Sequence, residues 1–126
     1  MIVSKYMFKT LGQLLLGSIF IVGGASAFAE PGGRVQKVEA AGLPQPRQAT
    51  IANGGIMVVA GAALAAGVLP KLSATALLGS LTATTIVGHP FWKEETPAAR
   101  SAQQLQFLKN VSVIGGLLLV LANNDD

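Results

Sequence analysis

Charges divide the chain into apolar intervals. Twenty uncharged residues lie between Lys9 and Glu30, twenty-three between Arg47 and Lys71, and twenty-one between Lys71 and Lys93. A fourth interval, from Lys109 to Asp125, holds fifteen, and its apolar pattern begins earlier, near Gln104. An α-helix rises about 1.5 Å per residue, so roughly 20 residues cross the hydrocarbon core of a bilayer. The pattern predicts four transmembrane helices, near 10–29, 49–69, 72–89 and 103–122. Lys109 falls a little inside the last of them, where a lysine snorkels to the interface.

The connections are polar or carry helix breakers. Pro31-Gly32-Gly33 stops the first helix. Arg34 to Ala41 reads as a short interfacial helix ended by Gly42, and Leu43-Pro44-Gln45-Pro46 as extended chain, since a residue before proline avoids the α region. Val68-Leu69-Pro70-Lys71 reads as a tight turn between antiparallel helices. His89-Pro90-Phe91-Trp92 belongs at the membrane surface, where tryptophan is enriched. Thr96 then suits an N-cap and Pro97 the first helical position, so the last helix can start at Pro97. The fold expected is all-α: one membrane domain over residues 1–126, a four-helix bundle with up-down-up-down topology.

Composition agrees with that reading. Hydrophobic residues are 51% of the chain and charged residues 12%, about half the usual share of a soluble domain. The mean hydropathy is +0.54. The net charge of +3 is small and its basic residues are scattered between apolar runs, so nucleic acid is not an expected partner. Cysteine is absent, which excludes disulfides, thiol redox relays, iron–sulfur ligation and a Cys nucleophile in this chain. A single His cannot build a multi-His metal site. No P-loop, G-x-S-x-G or H-E-x-x-H motif occurs. Lys5 and Lys9 before an apolar stretch ending Ala27-Phe28-Ala29 also look like a secretory signal peptide. We read the segment as a retained membrane helix.

Glycine and alanine are dense inside the spans. Gly61 with Ala65, and Ser112 with Gly116, have the spacing that lets membrane helices approach closely, without saying which helix meets which. Lysine and arginine beside the first and third connections outnumber those on the opposite side, which places these connections in the cytoplasm and both termini outside. The lysines before the first helix argue for the reverse.

The topology gathers polar residues on one face of the membrane: Glu30, Arg34, Arg47, Asn53, His89, Trp92, Lys109 and Asn110. The other face has little beyond Gln13, Lys71 and the tail. Any ligand site is expected near the first face. His89 stands one turn after Thr85, and two readings of it are open. It is either a proton relay or hydrogen-bond donor to a quinone-type head group, walled by Phe91 and Trp92, or a helix-end His bonded to a loop carbonyl. Lys109 and Asn110 read as an anion or lipid-phosphate site, or as snorkelling plus an interhelical bond. Asn53 and Gln13 read as interhelical glue or ligand contacts, and Thr82, Thr84 and Thr85 as bonded to their own helix. No carboxylate pair has a scaffold for acid–base work. No cofactor ligand is apparent; a bound quinone or lipid is the only small molecule the pattern invites.

Leu14-Leu15-Leu16-Gly17-Ser18-Ile19-Phe20-Ile21 with Gly23-Gly24 resembles the first helix of the DoxX family of small four-helix membrane proteins. Asn53-Gly54-Gly55, then Ala60-Gly61 and Leu69-Pro70, resembles the second helix and its turn. Gly88-His89-Pro90-Phe91-Trp92-Lys93-Glu94-Glu95, continuing through Arg100 to Phe107-Leu108-Lys109-Asn110 and Gly115-Gly116, is similar to actinobacterial members. Family members often carry Arg in place of Gln13 and an acid in place of Asn53. The family is associated with quinol oxidase, thiosulfate:quinone oxidoreductase and membrane-bound oxidative-stress assemblies. The resemblance implies a multi-pass protein of the plasma (inner) membrane, working beside a larger respiratory or redox complex. From this we expect a non-catalytic accessory subunit, with Phe91, Trp92 and Arg34 as partner contacts. The alternatives are a quinone-linked oxidoreductase subunit using His89 and Lys109, and a small oligomeric carrier.

Overall fold

In the computed structural model, residues 2–123 are described, with side chains from residue 4. Five α-helices follow one another: α1 (Ile2–Ala29), α2 (Gly32–Ala40), α3 (Pro46–Ala65), α4 (Pro70–Gly88) and α5 (Pro97–Ala122). A short 3₁₀ turn, Phe91–Lys93, lies between α4 and α5. The expected short helix is present as α2, which ends two residues before Gly42 (φ +82°). Gly42 donates to the carbonyl of Glu39 and Leu43 to that of Val38, which closes the helix in the left-handed way that glycine permits.

Three boundaries differ from expectation, each for a local reason. α1 begins at Ile2 instead of near residue 10, since nothing from Val3 to Thr10 breaks a helix and lysine is a good helix former. α3 begins at Pro46, not residue 49, and ends at Ala65, four residues before Leu69, because Gly67 (φ +72°) lets the chain turn there. Gln45 is not extended: it adopts a left-handed conformation (φ 48°) ahead of Pro46, as Leu69 does (φ 43°) ahead of Pro70. In both places proline at the first helical position fixes the new helix and the preceding residue absorbs the reversal. α5 is one helix from Pro97, and Thr96 caps it by accepting from the Ala99 amide at 3.2 Å.

Burial in the long helices recurs at steps of four and three. On α1 the buried positions are Gln13, Gly17, Phe20, Gly24 and Ala27; on α3 they include Thr50, Gly54, Met57, Gly61 and Leu64. That is the heptad seam of near-parallel helix packing. The two seams meet glycine to glycine. A Cβ added to Gly17 would lie 2.6 Å from the Gly61 carbonyl oxygen, and one added to Gly24 would lie 2.6 Å from that of Gly54. Pairing 17 with 61 and 24 with 54 makes α1 and α3 antiparallel and backbone-close. The core joins four helices through Phe20, Met57, Leu64, Ala74, Leu77, Leu81 and Leu117. α5 stays largely exposed, with only Asn110 and Leu117 buried.

Among the described residues, three helices are long and apolar enough to cross a membrane: Ser4–Ala29, Pro46–Ala65 and Pro97–Ala122. α4 falls short of them, because Lys71 and its serines and threonines dilute its apolar residues.

Candidate functional site

The end of the molecule where α4 leaves and α5 enters carries most of its polar chemistry. α4 stops at Gly88, and the His89 amide donates to the Thr85 carbonyl at 3.1 Å. At Pro90 (φ −78°, ψ 76°) the chain makes an inverse γ-turn, closed by the Phe91 amide on the His89 carbonyl at 2.9 Å. This tight reversal delivers Phe91 and Trp92 onto α5. Phe91, Trp92 and Phe107 form a triad of edge-to-face rings with centroids 5.3, 5.3 and 5.9 Å apart. Such geometry matches positive ring edges to negative faces. Trp92 remains 49% exposed, as a ring anchored at an interface would be.

His89 meets Gln103 across the same junction, Nδ1 to Oε1 at 2.7 Å. A carbonyl oxygen only accepts, so in this pair Nδ1 is the donor. Gln103, Phe107 and Asn110 follow one another at steps of four and three on the inner stripe of α5. Asn110 is 7% exposed, and its side chain makes no hydrogen bond to another described residue. Among the described residues no fully sealed polar side-chain atom lacks a partner, so its amide keeps a small opening to the surface.

A second constellation ties α3 to α4. Ser80 donates to Asn53 Oδ1 at 2.5 Å, Asn53 Nδ2 donates to Thr84 Oγ1 at 2.9 Å, and Thr84 donates to the Ser80 carbonyl at 2.9 Å. Asn53 is thus interhelical glue. Thr82 and Thr85 bond to carbonyls four residues back in their own helix. Gln13 is buried at the other end of α1, with Oε1 near Gly67 of the α3–α4 turn.

The remaining expected site residues stand apart from His89. Lys109 is exposed, turned away from the stripe that holds Asn110. Arg34 folds back onto α1 and donates to the Glu30 carbonyl and Ser26 Oγ, both at 3.3 Å. There its charge faces the carbonyl end of the α1 dipole. The structure therefore joins His89, Phe91 and Trp92, places Asn110 along the same stripe, and separates them from Asn53, Lys109 and Arg34.

Three participants were missed in the sequence. Gln103 and Phe107 lie in a stretch that reads only as a helix start, and their signal was the four-residue step between them. Ser80 is the acceptor-seeking partner of Asn53, 27 residues away, which no local pattern announces. Glu30, Glu39 and Glu95 are exposed and Glu94 half-buried, so no carboxylate enters the helix interior among the described residues. None of these residues forms a group of three or more His, Asp or Glu able to hold a metal ion.

These features define a small all-α membrane protein whose interior polar groups are amides and hydroxyls. Residues 8–90 match the DoxX family, which is about two thirds of the chain. The chain belongs to the DoxX family. The match names the family and no subgroup of it, and it stops before the aromatic triad. No curated protein and no solved structure matches the chain.

Proposed function

We propose that this protein is a four-span subunit of the plasma membrane that performs no catalysis itself and docks on a larger respiratory or redox complex. In this reading α1, α3, α4 and α5 alternate up and down, with both long connections in the cytoplasm. α4 is the shortest of these four helices. Its 19 residues rise about 28 Å. Its hydroxyls are all bonded: Ser73 to the Val68 carbonyl, Thr75 to Lys71, and the others as described above. A hydroxyl bonded within the protein costs little in hydrocarbon.

The observation that carries the accessory role is the contrast between inside and outside. The interior polar groups of the described residues hold helices together or lie nearly sealed, whereas α1 and α5 present long apolar flanks. Phe8, Leu15 and Val22 on α1 and Leu105 and Leu119 on α5 are each more than 60% exposed. Phe91, Trp92 and the region around Arg34 are the first contacts to examine. The test is purification from native membranes in mild detergent, with identification of co-eluting proteins. Stoichiometric respiratory or redox subunits support the reading; a monodisperse monomer whose deletion leaves every membrane complex unchanged refutes it.

A second reading, a quinone-linked subunit, is favoured by one observation. Gln103 Oε1 accepts from His89 Nδ1, and in the neutral ring this leaves Nε2 to accept from a hydroxyl beside the aromatic triad. Lys109 stands outside that arrangement, so the reading rests on His89, Trp92 and Asn110. Binding of a quinone analogue that persists in His89→Ala would remove it.

A further inference from the structure

α1 and α3 pair along stripes of residues at steps of four and three. α5 carries two stripes of that spacing. One, through Phe107 and Asn110, faces inward. On the opposite side Leu105, Leu108, Ser112, Gly115 and Leu119 follow one another at steps of three and four, and all five are exposed. The middle of this outer stripe is narrow. Ser112 ties its hydroxyl to the Leu108 carbonyl at 3.0 Å, and a Cβ added to Gly115 would meet nothing within 4 Å. Small residues set between leucines let a second helix come close, as Gly17 and Gly61 do inside the protein.

Lys109 stands at the edge of the outer stripe, next to Leu108, and is exposed. It lies near the middle of α5, about 18 Å from Pro97 and about 20 Å from Ala122. A cation so placed in a membrane helix ordinarily faces the bundle interior and pairs with an opposite charge. Lys109 faces outward and makes no ion pair or hydrogen bond with a described residue. No Asp or Glu lies within α1, α3, α4 or α5, so the chain's own spans offer it no counter-charge.

We propose that the outer stripe of α5 is a docking surface whose occupant is a transmembrane helix of the partner complex, carrying a carboxylate at the depth of Lys109. The inference rests on the accessory role above and names the face and the partner chemistry for it. A charge beside a heptad seam selects the partner helix in coiled coils. In hydrocarbon, an ammonium against a carboxylate relieves the cost that each bears alone. A second copy of the chain lacks the acid, and a symmetric pair along this stripe would bring two Lys109 ammoniums to the same depth. A lipid phosphate reached by snorkelling needs neither the heptad spacing nor the small residues.

The test is treatment of native membranes with dicyclohexylcarbodiimide, which joins an amine to a touching carboxylate as an amide with net loss of water. The full chain is then purified in mild detergent, and cross-linked peptides are identified by mass spectrometry. The expected product links Lys109 to an Asp or Glu inside an apolar segment of a respiratory or redox subunit. Lys109→Arg is expected to keep the complex and lose the cross-link. Lys109→Met and Gly115→Leu are expected to lower the recovered complex at least tenfold while keeping the helical circular dichroism of the parent. Full recovery of the complex with Lys109→Met overturns the inference and leaves the accessory role standing. A cross-link between two copies overturns it as well, as does an anionic lipid retained by the parent and lost from Lys109→Met while the complex persists. If no complex elutes with the parent, the accessory role falls and this inference with it.

Discussion

Glycine does two different jobs in this chain, and its effect on stability depends on the position. At Gly24 an added methyl would meet the Gly54 carbonyl oxygen at 2.6 Å and the Met57 Cβ at 2.8 Å, both on α3. The helices would have to part, which overpacking data place at about 1–3 kcal/mol. Gly24→Ala and Gly54→Ala are therefore expected to lower the melting temperature in detergent. Gly79 and Gly115 meet nothing within 4 Å in the middle of helices. There alanine removes the entropic cost of glycine, and Gly115→Ala should be neutral or stabilising by up to about 1 kcal/mol. Equal losses at both kinds of position would show that α1 and α3 are not backbone-close. At His89 the expectation is spectroscopic: nitrogen NMR should find the proton on Nδ1 in the parent. Removing the acceptor in Gln103→Ala should shift the ring toward the Nε2-protonated tautomer. An unchanged tautomer would mean that Gln103 does not hold the ring.

Helix starts are specified twice over at the level of elements. Thr96-Pro97 was readable because a cap and a proline lie side by side, and both do in the structure what their chemistry favours. Thr96→Ala should cost about 1 kcal/mol. Gln45-Pro46 was misread as extended because the rule for residues before proline excludes right-handed helix and is silent on the left-handed region. A glutamine there is strained by roughly 1–2 kcal/mol, so Gln45→Gly should raise the melting temperature. A fall would show that the left-handed turn is not adopted. Asn53 belongs at this scale too. Asn53→Ala removes two hydrogen bonds between α3 and α4, and bonds of this kind in membrane bundles are worth about 0.6–2 kcal/mol each. The loss should appear in unfolding and leave helix content unchanged.

Over the whole molecule, apolar intervals reveal where helices are, and heptad spacing reveals how they pair. The four long helices were legible because charge is confined to their ends, with Lys109 inside α5 the one exception among the described residues. The antiparallel pairing of α1 with α3 was also written in the chain, as glycines seven apart at 17 and 24 and again at 54 and 61, but recognising it requires matching two segments at once. The candidate site was legible only in part. Turn residues such as His89, Phe91 and Trp92 stand out against an apolar background, whereas Gln103 and Phe107 are ordinary helix residues until α4 is folded against them. Asn53 illustrates the converse: prominent in sequence, it is consumed by Ser80 and Thr84.

The central claim is that α3 and α4 form a membrane hairpin between α1 and α5. The most direct measurement is accessibility of single cysteines in sealed vesicles, made possible by the absence of native cysteine. Gly42→Cys, Val68→Cys and Glu95→Cys report the three connections, and all three residues are exposed. The account predicts that Gly42→Cys and Glu95→Cys react from one side of the membrane and Val68→Cys only from the other. Reaction of all three from the same side would contradict it.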